Sequence, residues 1–168
     1  MLVRELNEDV GQSVLYHGTS LPWLVRIIET DRLTAEGARS ASLTRSPAIA
    51  SKFATTRTLI DLEDTDIEDQ LIQCLPSGNS VCGAVIVFDR NILVQRHKIV
   101  PFDDGFKSGS PTYSEYEERI VGPVQGVVKA IRAIKIQKPM EYDRFKIEAT
   151  QMMPDLARCF AVIDRYRA

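Results

Sequence analysis

Val14-Leu15-Tyr16-His17-Gly18-Thr19-Ser20 is an apolar run that ends abruptly in a histidine, a glycine and two hydroxyls. A short buried strand that delivers polar groups at its C-terminal end is a common way to build a ligand cleft. Gly18 allows a close backbone approach, His17 can donate or accept a hydrogen bond near neutral pH, and Thr19 or Ser20 can cap a following helix. A plainer reading fits the same residues: Ser20 and Pro22 start a helix, and His17 is a strand-end residue with its hydrogen bonds met. On this stretch alone the plainer reading is the stronger.

Outward from it, residues 21–33 put Leu24, Ile27, Ile28 and Leu33 on one helical face, with Pro22 in the first turn, where a missing N–H costs nothing. This helix is expected to cover the sheet. Gly37 marks a loop, Ala41-Ser42-Leu43-Thr44 alternates like a strand, and Ser46-Pro47 opens a second helix with Ile49, Ala50, Phe53 and Ala54 on its inner side. Residues 55–75 read as an acidic connection with a helix over Ile67–Leu75, and residues 76–80 break the chain.

Val81–Phe88 is the most apolar strand, and its unbroken character predicts burial on both faces. Lys98–Phe102 reads as a shorter strand whose Pro101 suits a sheet edge, and residues 103–111 as a Gly/Ser/Lys-rich loop. Strand character returns at Arg119-Ile120-Val121 and over Val127–Ile136. A last helix, about Met140–Arg167 interrupted by Pro154, carries Phe145, Met152, Met153, Leu156, Phe160 and Ile163 as a core stripe. With no repeat and no linker, residues 1–168 are expected to form one domain. The order is not a regular βα alternation, so an α+β fold with a mixed or antiparallel sheet and flanking helices is predicted.

Composition narrows the function classes. At 44% hydrophobic and 26% charged the chain is ordinary for a globular protein. Cys74, Cys82 and Cys159 have no C-x-x-C spacing and no histidines nearby, which argues against a zinc site and a disulfide framework, and for a reducing, cytoplasmic setting. No apolar run approaches the roughly 20 residues of a membrane span, and the N-terminus is acidic and not signal-like. The net charge of -2 gives no global case for nucleic acid, although residues 119–168 hold ten Lys/Arg against five Asp/Glu.

Two further motifs follow the first: Ser40-Ala41-Ser42-Leu43-Thr44-Arg45-Ser46-Pro47 and Glu115-Tyr116-Glu117-Glu118-Arg119-Ile120-Val121. In this order, the Y-H-G-T, S-L-T-R and E-E-R-I motifs resemble those of the ADP-ribosyltransferase superfamily, above all its small stand-alone bacterial and phage members. The resemblance covers roughly residues 13–137. It implies a split pair of perpendicular sheets framing a dinucleotide cleft, NAD as substrate, no metal, and transfer of ADP-ribose to a macromolecular acceptor, protein or nucleic acid, as a phage or toxin-type effector.

Cleaving the nicotinamide–ribose bond passes through an oxocarbenium-like transition state, which asks for a carboxylate beside the ribose. Glu115, Glu117 and Glu118 are the candidates. Ile120 points to the core, so alternation puts Glu118 on the same side and turns Glu117 the other way. Glu118-Arg119-Ile120-Val121 matches the family's E-x-apolar-apolar pattern, and Glu115-x-Glu117 matches its E-x-E pair. Both registers stay open, Glu118 ahead.

By the same likeness His17 would bond a ribose hydroxyl of the adenosine half, with backbone contacts from Gly18 and Thr19. Ser42 and Thr44 would steady the second strand and the nicotinamide pocket, Arg45 would clamp the diphosphate or pair with a carboxylate at the helix entrance, and Tyr16 or Phe53 would stack on nicotinamide or fill the core. His97 reads as a surface residue and Cys82 as a small core residue. Two other readings stand beside the enzyme: a degenerate member of the fold that binds and blocks a partner, and an RNA 2′-phosphotransferase, which the sparse Arg/His content for phosphate disfavours. The 103–115 segment is the expected acceptor-selecting loop.

Overall fold

The computed structural model describes residues 13–33, 40–56, 66–75, 82–102, 117–122 and 124–168. Glu115 and the 103–115 segment lie outside them, and Glu117 is described in its backbone only. The elements in chain order are β1 (Val14–Ser20), α1 (Leu21–Thr30), β2 (Ser40–Thr44), α2 (Pro47–Thr56), α3 (Asp66–Gln73), β3 (Gly83–Asp89), α4 (Arg90–Val94), β4 (Lys98–Phe102), β5 (Glu117–Val121), β6 (Ile131–Ile136), α5 (Pro139–Met152) and α6 (Ala157–Tyr166). The fold is α+β. Its sheet has six strands in the order β4-β5-β2-β1-β3-β6, every neighbouring pair antiparallel.

That sheet is one hydrogen-bonded whole, but it divides into two halves. Within β1-β3-β6 the pairing is extensive, with β1 matched to β3 from Val14↔Asp89 through Ser20↔Gly83. Within β4-β5-β2 it is equally regular, from Ser40↔Val121 to Thr44↔Glu117 and from Lys98↔Val121 to Phe102↔Glu117. Between the halves, among the described residues, the register holds only Tyr16↔Thr44. The resemblance implies two perpendicular sheets; the structure has a single six-stranded sheet whose β1–β2 junction, the seam, is held by that one register pair among the described residues.

Alternation assigns the faces. Leu15, Ile86, Phe88 and Ile134 point to the larger core, where α1 adds Leu24, Ile27 and Ile28, and the C-terminal helices add Phe145, Phe160 and Ile163. Phe145 and Phe160 meet edge to face, with ring centroids 5.9 Å apart. The opposite face of β1 and β3 is covered by α2, whose Ala50 and Ala54 pack on Val85 with Tyr16 alongside. Burial of β3 on both faces, expected from its apolar run, is what the structure has.

Glycine makes the α2 contact possible. A Cβ on Gly18 would lie 1.9 Å from the Ala50 carbonyl oxygen, and one on Gly83 2.1 Å from that of Ala54. The close approach that Gly18 permits is thus, in the first place, that of a helix.

Other local readings hold or need correction. Ser20 caps α1 by accepting from the Trp23 amide, and Ser46 does the same for α2 from Ile49. Pro101 lies on β4, an edge strand. Strand character does not extend over 127–136: residues 128–130 form a 3₁₀ turn before β6. The buried Val124, Val127 and Ala130 recur every third residue, the spacing of such a turn. Pro154 separates two helices, and Met152 is half exposed, outside the core stripe. Asp89 does more than end β3, since its carboxylate accepts from the Asn91 and Ile92 amides and starts α4.

Candidate functional site

Sheet pairing brings β1 and β5 to either side of β2, so the first and third motifs stand about 10 Å apart, two strand spacings. Paired residues share a face. Tyr16 lies opposite Thr44, and Leu43 opposite Glu118, which puts His17, Leu43 and Glu118 on one side of the sheet at the seam. Glu118 also shares that side with Ile120, as alternation predicts, and both are buried.

His17 is 8% exposed, and its Nδ1 lies 3.1 Å from the Ser42 carbonyl oxygen across the seam. A carbonyl only accepts, so Nδ1 carries the proton, and in the neutral ring Nε2 is the acceptor. This bond spans the gap where β1 and β2 have ceased to pair. The Ser42 side chain is exposed, and Thr19 is buried. Thr44 steadies the exit from β2, its hydroxyl accepting from the Ser46 amide. Tyr16 packs against the small cluster under α2, the core placement of its two alternatives.

Among the described residues Glu118 is the buried charged side chain, a carboxylate 2% exposed on the core side of a strand. Arg45 donates to its Oε1 from Nη2 and, at 3.1 Å, from Nε. Arg90 donates to Oε2 from Nε at 2.9 Å and to Oε1 from Nη2 at 3.4 Å. Of the alternatives for Arg45, the structure contains the carboxylate partner. Burial raises the Glu118 pKa, but the Arg90 and Arg45 hydrogen bonds and charges outweigh it and hold the carboxyl below the ordinary 4.5.

A pH dependence follows. With the folded value below the unfolded one, the stabilisation is fully present above about pH 5 and is lost as pH falls through the folded value. Glu118→Gln is expected to flatten the acid limb of Tm measured from about pH 7 down to about pH 3, whereas an unchanged limb would mean that the triad contributes nothing to stability.

Arg90 was not legible as a site residue. It follows a β3 strand that ends in Asp-Arg-Asn, and the usable signal is its position just past the C-terminal end of a central strand, where Asp89 opens a helix. Asp89 itself is engaged elsewhere, accepting from Arg132 at 2.9 and 2.6 Å. His97 has a partner in the Gln125 carbonyl, 3.1 Å away, and Cys82 is buried with its thiol donating to the Lys138 carbonyl. Burial raises the pKa of Cys74, Cys82 and Cys159, a setting for inert thiols.

Chemically, the seam offers a buried anion, two part-exposed guanidiniums and an oriented imidazole on one face. Such a set has acceptors for hydroxyl donors and guanidinium edges for anionic oxygens. Among the described residues no helix is long and apolar enough to cross a membrane, and no three His, Cys, Asp or Glu side chains converge to hold a metal. No family model matches the chain, and no curated protein matches it.

Proposed function

We propose that this protein is an NAD-dependent mono-ADP-ribosyltransferase acting on a macromolecular acceptor, protein or nucleic acid. The observation that carries the reading is the placement of His17 and Glu118 on one face of the sheet, on strands that flank β2 at the seam. In the reaction, the bond from ribose C1′ to the nicotinamide nitrogen breaks and its electron pair leaves with nicotinamide. The acceptor's nucleophilic atom then bonds to C1′ and releases its proton to water. Glu118 is the carboxylate that stabilises the cationic ribose and accepts its 2′-hydroxyl, His17 accepts a hydroxyl of the adenosine ribose, and Arg45 serves the diphosphate.

A second reading has an observation of its own. Both Glu118 oxygens accept from arginine, as in a carboxylate retained for structure, which favours a binding protein without NAD chemistry. NAD separates the two. A ligand bound only by the folded state stabilises it by about 2.7 kcal/mol at a hundredfold excess over Kd. NAD is therefore expected to raise the Tm of the wild type, and to raise that of His17→Ala less at the same concentration. No shift at millimolar NAD would remove the enzyme reading and leave the binding protein.

A further inference from the structure

Two arginines meet on one buried carboxylate, and among the described residues their charges are not cancelled. Glu118 supplies one negative charge against the positive charges of Arg45 and Arg90, while the neighbouring Asp89 is committed to Arg132. Glu118 Oε1 accepts from both guanidiniums, so the two like charges converge within a few ångströms of each other. Like charges at that separation repel, and the shared carboxylate is what holds them together.

The triad is also asymmetric towards solvent. Glu118 is 2% exposed, whereas the Arg45 and Arg90 side chains are 40% and 30% exposed. Each arginine uses Nε and Nη2 on the carboxylate, and neither Nη1 has a partner among the described residues. A guanidinium has five N–H donors, so each keeps a donating edge on the side away from Glu118. Oxygen usage is unequal as well: Oε1 takes three of the bonds and Oε2 only that from Arg90 Nε.

We infer that Arg45 and Arg90 form a latch operated by a diphosphate: the anion binds the two guanidiniums, draws their charge from Glu118 and leaves Oε2 to accept a hydroxyl. Before the anion arrives, the carboxylate is neutralised by its two partners and has little negative potential to offer a cation. A doubly charged phosphoanion supplies the acceptor oxygens that the arginines otherwise find in Glu118, where Oε1 is shared by both and only Arg90 is bidentate. Arg45 and Arg90 are thus positioning residues, and they couple occupancy of the anion site to the availability of the carboxylate. That the released Oε2 serves a ribose hydroxyl of NAD rests on the function proposed above, but the competition between diphosphate and Glu118 does not.

That competition has a signature that a static structural triad lacks. Inorganic pyrophosphate is titrated calorimetrically into the full chain at constant ionic strength, with sulfate as the control for general anion attraction. Arg45→Gln and Arg90→Gln are each expected to weaken pyrophosphate binding by at least about tenfold, the loss of one charge-assisted bidentate contact. Glu118→Gln removes the internal competitor and is expected to bind pyrophosphate several-fold more tightly than the wild type. Glu118→Asp keeps the charge but shortens the reach, so it is expected to tighten binding as well, and it serves if Glu118→Gln does not fold.

Weaker binding by the folded Glu118 variants would mean that the carboxylate only organises the arginines, which overturns the latch. Wild-type binding no stronger than that of sulfate, or unaltered by either arginine substitution, would overturn the anion site itself. These titrations contain no NAD, so pyrophosphate binding without NAD cleavage would retire the transferase and keep the latch, and cleavage without pyrophosphate competition would do the reverse.

Discussion

Gly18→Ala is expected to destabilise the fold by at least about 3 kcal/mol, the upper part of the range for an overpacked core, or to prevent folding. The new methyl would sit 1.9 Å from the Ala50 carbonyl oxygen and 2.8 Å from the Ala54 amide nitrogen, both backbone atoms of α2. No rotamer change relieves a backbone contact. The helix would have to lift from β1, and with it the fully buried Ala50 and Ala54 would lose their seat on Val85. Since α2 also rides over Gly83, the lift opens the interface along both strands. Gly122→Ala is the comparison: it sits in open space at a φ of +92°, so it adds left-handed strain of about 1–2 kcal/mol and no clash. Urea unfolding of the two variants beside the wild type measures the contrast, and equal midpoints would contradict the packing argument.

On the proposed chemistry, Glu118→Gln is expected to lower the rate of nicotinamide release by about 10² to 10³, the usual effect of removing one electrostatic contact to a transition state. Glutamine has the same shape and keeps an oxygen for the arginines, so what it removes is the negative charge that the oxocarbenium requires. Glu117→Gln is expected to stay within about tenfold of the wild type, because its change leaves the Glu118 carboxylate and its arginines intact. Circular dichroism on each variant separates loss of rate from loss of fold. A larger loss in Glu117→Gln would move the carboxylate role to the E-x-E register.

Much of the architecture was legible because it is written in local periodicity. The 3.6-residue spacing of Leu24, Ile27 and Ile28 and the unbroken apolar run of β3 each have one satisfactory burial, and both are found buried as read. The shared side of Glu118 and Ile120 followed from period two alone. What could not be read depends on partners distant in sequence. Arg45 and Arg90 lie 73 and 28 residues from Glu118, and no local pattern announces that both will reach it.

The seam was hidden for a related reason: it is a property of how far two strands stay in register, and β1 and β2 each look like ordinary strands. Gly18 shows a third kind of limit. Its need for a close neighbour was evident, but a helix backbone and a ligand make the same demand of a glycine, and only the position of α2 shows that the helix makes it. The 3₁₀ turn at 128–130 escapes a period-two reading, which sets Val128 and Ala130 on one face, whereas the burial of Val127 and Ala130 follows period three.

The most direct test of the central claim is release of labelled nicotinamide from NAD by the purified protein, with and without a cell lysate as the source of acceptor. The proposed chemistry predicts release above the uncatalysed rate, stimulated by lysate, with ADP-ribose label appearing on a macromolecule and both signals lost in Glu118→Gln. No release and no label transfer by the wild type, with or without lysate, would contradict it.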